Sequence, residues 1–213
     1  FGIGDWEARA IAPDGSAFEV YHQGSPQGRA EWTQLGPHNV HNALAALAAA
    51  RHVGVAMATA LAALADFQGI KRRLEARGTV NDVTVYDDFA HHPTAIATTL
   101  AGLRARVGDQ PIVAVLEPRS NTMKLGVFKD SLAPALALAD AVVLYQAPDL
   151  GWDLGVVAAA LGPRGQVCHS LDDTLTAIHA RTQPGTQVLI MSNGGFGGIH
   201  ERLLRKLRAD ADA

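Results

Sequence analysis

Residues 83–96, VTVYDDFAHHPTAI, change character twice within a short span. The first residues alternate β-branched or aromatic side chains with others, as a strand does. Pro93 then opens a helix, because its fixed φ suits a first turn and its missing N–H costs nothing there. Between them lie Asp87, Asp88, His91 and His92, two carboxylates and two titratable rings beside a positive helix N-terminus. A strand, a charged loop and a helix in that order form one unit of an α/β sheet, and the rest of the chain is best understood outward from it.

Downstream, the pattern repeats. A helix is expected from about Pro93 to Val107, then the strand PIVAVLEP, a helix from about Phe128 to Ala139, and the strand AVVLYQ. A short helix follows near Leu154 to Leu161, then QVCHS as a strand, a helix from Leu171 to Arg181, the strand QVLIMS, and a last helix from Ile199 to Arg208. Apolar strands separated by helices imply a mostly parallel, Rossmann-like sheet covered on both faces, with ligands at the carboxyl ends of the strands. Three of those ends carry unusual sequence: YDDFAHHP, EPRSNTMK and MSNGGFGG.

Upstream, LEARGTV pairs with VTVYDDF as a hairpin around Asn81-Asp82. A domain boundary is expected near residues 70 to 76, dividing the chain into 1–72 and 73–213. Before it, HNVHNALAALAAARHVG reads as a helix closed by Gly54, followed by a second helix from Ala56 to Phe67. The first residues, FGIGDWEARAIAPDGSAFEVYHQG, read as two strands around Pro13-Asp14-Gly15-Ser16. Because a lone hairpin is marginal in water, the chain is expected to begin in mid-domain, with partner strands outside these residues.

Composition narrows the function. Net charge is −3, with 18 Lys+Arg against 21 Asp+Glu and no long run of either sign, so the footprint of a nucleic-acid binder is missing. The single cysteine, Cys168, forms no internal disulfide, and the sequence lacks the marks of a leader; a cytoplasmic location is expected. The most apolar stretch, SLAPALALADAVVLYQAP, is interrupted by Pro134 and Asp140 and falls short of the roughly 20 residues of a membrane span. A small-molecule substrate is the expectation. One His-His pair without further His or Cys at ligand spacing is a weak metal signal, and no metal ligand is assigned. The loop cluster has a plainer reading too, with Asp88 as a helix cap and the histidines solvated.

GPHNVHNALAALAAA (36–50), GIKRRLE (69–75) and VYDDFAHHPTAI (85–96), in this order and at these separations, resemble the Mur ligase family. That family joins amino acids or peptides to UDP-N-acetylmuramic acid precursors. LEPRSNTMKLGVF (116–128) and MSNGGFGGIHERLL (191–204) resemble its peptide-using branch, which couples UDP-N-acetylmuramate to L-Ala-γ-D-Glu-meso-diaminopimelate in peptidoglycan recycling. The branch that adds free L-alanine carries an HRYTRT-like string in place of PRSNTMK. The resemblance implies ATP and Mg2+ as cofactors, and three domains. Residues 1–72 would end the central ATP-binding domain, and 73–213 would form the C-terminal Rossmann-like one. The missing N-terminal and central domains of the same protein would then be partners of this chain. No GxxxxGK[ST] loop occurs in these residues, so the chain by itself is expected to be inactive. A non-catalytic module that binds cell-wall peptide or nucleotide is the alternative from another class.

The resemblance also assigns residues. Asn39 and Asn42 match asparagines at the adenine, where a side-chain amide offers both donor and acceptor, though both also suit helix capping. Arg73 matches an arginine that meets ATP phosphates from the domain linker, though taken without the family it would be a solvated positive charge beside Lys71 and Arg72. Asp88 matches a carboxylate at the ribose, which leaves Asp87 as its structural neighbour. His91 matches a histidine near the reacting groups, with His92 capping or packing, and the reverse assignment stays open. Arg119, Asn121 and Lys124 occupy the loop expected to meet the peptide, whose carboxylates call for cations. Ser192 and Asn193, followed by Gly194 and Gly195, form a second such loop; glycine there permits close backbone approach, and also makes ordinary turns.

Overall fold

A computed structural model describes residues 1–211, with side chains described as far as Ala209. They form two compact units, one of Phe1–Ile70 with Ala101–Gly108, the other of Lys71–Leu100 with the residues from Asp109 onward.

In the first unit β1 (Gly2–Ile3), β2 (Trp6–Ala10), β3 (Ala17–His22) and β4 (Ser25–Glu31) form an antiparallel sheet in that order. The two expected strands are thus joined by partners that lie within the chain. The turn from β3 to β4 is made by Gln23 and Gly24, both at positive φ (48° and 74°), the twist that a two-residue hairpin requires. Trp6, Ala8, Phe18 and Val20 alternate inward. Against them pack α1 (Pro37–His52), through Val40, Ala43, Leu44 and Leu47, and Ala60 of α2 (Met57–Ala65). The spacing of the four α1 residues puts them on one helical face. Gly54, at φ 89°, ends α1 as expected.

The second unit carries β5 (Glu75–Val80), β6 (Val83–Asp88), α3 (Pro93–Val107), β7 (Ile112–Leu116), α4 (Asn121–Lys124) and α5 (Lys129–Ala135). It continues with β8 (Ala141–Tyr145), α6 (Gly155–Leu161), β9 (Gly165–Cys168), α7 (Leu171–His179), β10 (Gln187–Met191) and α8 (Ile199–Ala211). The last turns of α3, from Ala101, cluster with the first unit. The sheet order is β5-β6-β10-β7-β8-β9, with β5 antiparallel and the other five parallel, so the expected α/β, mostly parallel architecture is what forms. Val85, Val115, Val143, Val188 and Ile190 turn to one face, where α7 and α8 cover them with Ile178, Ile199, Leu203 and Leu204. Their neighbours Ala114, Leu116, Val142, Leu144, Leu189 and Met191 are buried too, as a sheet covered on both sides requires.

Two helices depart from expectation. α5 ends at Ala135, short of the expected Ala139, with Pro134 inside its last turn. A short α4 appears inside the 117–128 loop, capped by the Ser120 hydroxyl, which accepts from the Met123 amide. Among the described residues no helix is long and apolar enough to cross a membrane.

Candidate active site

The parallel strands β6, β10, β7 and β8 deliver their carboxyl ends side by side, and the loops that follow carry the polar residues. At the end of β6, Asp88 is 3% exposed and both its oxygens are taken by backbone. Oδ2 accepts the Leu74 amide and Oδ1 the Ala90 amide, each at 2.7 Å. Burial pushes its carboxyl above the ordinary range, against the pull of the Ala90 and Leu74 amides and of Arg73. Asp88 therefore braces two pieces of chain, the 72–74 segment and the turn before α3. Asp87 is also buried, and faces Arg72 Nε at 3.5 Å, Arg77 Nη1 at 3.6 Å and His200 Nε2 at 3.4 Å. Burial holds His200 below its usual value, so its ring is neutral near pH 7.

The segment that carries Arg73 is held unusually. Arg72 and Leu74 both take positive φ, 61° and 52°, a conformation that side chains with a Cβ rarely adopt. Three backbone ties compensate: Arg72 N–H donates to Glu75 Oε2, Phe89 N–H donates to Arg72 O, and Leu74 N–H reaches Asp88. Arg73 itself is exposed, its guanidinium 5.4 Å from the Phe89 ring centroid. A fork in such a position can meet phosphate oxygens.

His91 and His92 part company. His92 Nδ1 accepts the Thr94 amide at 3.3 Å, and its ring packs edge-on to Phe128 at 4.5 Å, so it caps α3. His91 is half-buried, with Nδ1 2.9 Å from the Phe89 carbonyl. Since a carbonyl only accepts, Nδ1 is the nitrogen that carries hydrogen here, and in the neutral ring Nε2 is then the acceptor.

At β7 and β10 a second network forms. Glu117, buried at the end of β7, takes a hydrogen bond from the Ser192 hydroxyl, which in turn accepts the Gly194 amide at 2.9 Å. Arg119 Nη1 lies 3.9 Å from the other Glu117 oxygen while over half of its side chain remains exposed. A Cβ on Gly194 would come 2.5 Å from Arg119 Cδ, so the glycine makes room for that arginine. Asn193 Oδ1 is buried without a partner. Asn121 is exposed at the start of α4, whereas Lys124 is paired with Asp149 of the loop after β8. Trp152 from that loop donates its indole N–H to the Met123 carbonyl at 2.7 Å.

The structure thus brings Arg73, Asp88 and His91 to the end of β6, and Arg119, Ser192 and Asn193 to the neighbouring ends; Asn121 and Lys124 lie on α4. Asn39 and Asn42 belong to the first unit, on α1. There Asn39 Nδ2 donates to the Leu35 carbonyl at 2.8 Å and Asn42 Nδ2 to Asn39 Oδ1 at 3.3 Å. Glu117 and Arg72 carry no assignment from the sequence. Arg72 donates through Nη2 to the carbonyls of Ser192 (2.6 Å) and Gly194 (2.7 Å).

A mostly parallel sheet with these polar loops at its carboxyl edge has the form of a ligand-binding α/β domain, and comparison makes the class definite. The family described as Mur ligase, glutamate ligase domain, matches residues 72–194, and the chain belongs to the Mur ligase family. It is 51% identical over 211 residues to the UDP-N-acetylmuramate–L-alanyl-γ-D-glutamyl-meso-2,6-diaminoheptandioate ligase of Escherichia coli K12, covering 99% of this chain and 46% of that protein. It is 32% identical over 219 residues to a UDP-N-acetylmuramate–L-alanine ligase of Synechococcus, covering 97% of this chain and 41% of that protein. Among solved structures, a murein peptide ligase of Psychrobacter arcticus aligns with a TM-score of 0.69 at 47% identity, over 95% of this chain and 44% of that one. The chain therefore spans less than half the length of each of these relatives.

Proposed function

We propose that this chain works as part of an ATP-dependent ligase that joins UDP-N-acetylmuramate to the tripeptide L-Ala-γ-D-Glu-meso-diaminopimelate. The observation that carries the reading is the gap in identity: 51% to the tripeptide ligase against 32% to the alanine ligase, over nearly the same stretch. In this reading residues 1–72 close the central ATP-binding domain and 73–213 form the acceptor domain.

ATP would supply a phosphoryl group that turns the unreactive lactoyl carboxylate into an acyl phosphate with a good leaving group. What this chain's residues do is position and stabilise. Arg73, exposed and oriented over Phe89, meets phosphate charge. His91 Nε2, the acceptor of the neutral ring when Nδ1 faces the Phe89 carbonyl, takes a proton from the incoming amine. Arg119, Asn121 and Lys124, with Ser192 and Asn193, hold the peptide; Lys124 must first release or share Asp149. Asn39 and Asn42 offer their amides to adenine by rotating from the contacts they now make. Asp88 is 3% exposed and each of its oxygens already serves a backbone amide, so we assign it the bracing of the loop in place of a direct ribose contact. Among the described residues no three His, Cys, Asp or Glu side chains gather as a metal site, so none is assigned to Mg2+.

The test uses the full-length protein with UDP-N-acetylmuramate and ATP-Mg2+, measuring amide product by mass spectrometry with tripeptide, dipeptide or L-alanine as acceptor. Tripeptide should give the highest kcat/KM. A preference for L-alanine would move the protein to the other branch, and no acceptor-dependent product would favour a binding module.

A further inference from the structure

The loop Ser192–Gly194 is gripped from two sides by charged side chains. On one side lie Glu117 and, beyond it, Arg119. On the other lies Arg72, whose Nη2 donates to two carbonyls of the loop while Nε faces Asp87 and the guanidinium lies 5.1 Å from the Phe89 ring centroid. This contact spans 120 residues of sequence. It joins the segment that presents Arg73 to the loop that shapes the surroundings of Arg119. We propose that Arg72 is a positioning residue for acceptor binding: by fixing the carbonyls of Ser192 and Gly194 it sets the Ser192–Glu117 bond and the place of Arg119. The proposal rests on the ligase reading above and adds a residue to it.

Three features separate this role from general support. The backbone ties of Arg72, to Glu75 and Phe89, do not involve its side chain and survive substitution. The segment that presents Arg73 therefore keeps its backbone anchors in a variant, and the effect of changing the side chain falls on the 192–194 loop and on its contacts with Asp87 and Phe89. Carbonyl oxygens are weak partners for an arginine that has Asp87 within reach, so the fork is used for geometry as well as charge. Finally, Gly194 lies under Arg119 with no space for a Cβ, so a small shift of this loop moves the arginine.

In the full-length ligase, Arg72→Lys keeps the charge but loses the planar fork that faces Asp87 and both carbonyls together. KM for tripeptide should rise roughly ten-fold or more, with kcat within about three-fold and KM for ATP within about two-fold of the parent. A purely structural residue would behave otherwise, lowering the active fraction and hence kcat while leaving KM in place. Gly194→Ala displaces Arg119 from the other side and should give the same acceptor-specific pattern. If Arg72 acts through the loop, the double variant should lose little more than the worse single variant, because neighbours in one network are not additive. Additive losses, an unchanged tripeptide KM in Arg72→Lys, or equal rises for ATP and tripeptide would each overturn the proposal. A parent enzyme that forms no amide with tripeptide would instead sink the ligase reading beneath it.

Discussion

Asp88→Asn separates two roles for one carboxylate. If Asp88 holds ribose, the change should weaken ATP use and leave the fold alone. The structure argues for the opposite outcome. Asn keeps one acceptor oxygen but presents an NH2 group where Oδ2 now receives the Leu74 amide, so a donor is set against a donor in a site 3% exposed. A buried amide left without a partner costs about 1–3 kcal/mol, and a hydrogen bond to a charged group is worth about 1.5–3 kcal/mol. Relief of carboxylate burial offsets part of this, as the raised pKa of Asp88 indicates. A net loss of about 2 kcal/mol is expected, which for a chain of this size lowers Tm by roughly 4–8 °C. Asp88→Ala, which abandons both the Leu74 and Ala90 amides, should lose more, about 3–5 kcal/mol. Circular dichroism melts of the 213-residue chain measure this, alongside KM for ATP in the full-length enzyme. An unchanged Tm with KM for ATP raised about five-fold or more would refute the bracing argument and restore the ribose contact.

Arg119→Lys should weaken tripeptide use about ten-fold, equivalent to ~1.4 kcal/mol, with free L-alanine and ATP dependence unchanged, because the exposed fork is lost and the charge is kept. Equal impairment of all acceptors, measured by initial rates, would remove this loop from peptide selection. Burial alone would push Asp14 up, but hydrogen bonds from Ser16 and Arg106 hold its carboxyl below the ordinary value. A depressed folded pKa gives stability that is present above the unfolded value and lost as pH falls through the folded one, so Asp14→Asn should flatten the dependence of Tm on pH below about 4. Parallel acid limbs in the two proteins would contradict this. Phe18→Ala should cost about 3–5 kcal/mol, read as a fall in the urea midpoint, because Phe18 is fully buried in the first unit. The 213-residue chain alone should show no ATP turnover above a heat-killed control, since it holds no P-loop.

The parts of the fold that could be read from sequence are those whose pattern is local. IVAVL and QVLIM announce buried parallel strands because both faces of each strand are covered, and Pro93 and Gly54 mark helix ends by their own backbone preferences. β4 was missed for the converse reason. SPQGRAE is polar and carries Pro and Gly, and only Ala30 is buried, so the strand exists through its pairing with β3 and not through any pattern of its own. α4 was missed because four residues make too short a helix to show a period.

The site divides in the same way. Arg73, His91 and Arg119 could be named because they stand in strings that resemble a family. Arg72 and Glu117 could not, because their roles depend on neighbours distant in sequence. The strand order makes those neighbours: β10 enters the sheet between β6 and β7, so Ser192 lies beside Asp88 on one side and Glu117 on the other. Nothing local in GIKRRLE distinguishes the two arginines. The distinction arises when Arg72 and Leu74 adopt positive φ, which turns Arg72 toward the carbonyls of the β10 loop while Arg73 stays exposed. One arginine thus becomes part of the frame and its neighbour remains available to a ligand, and which is which follows from the sheet order and the 72–74 backbone, since the two side chains are chemically the same.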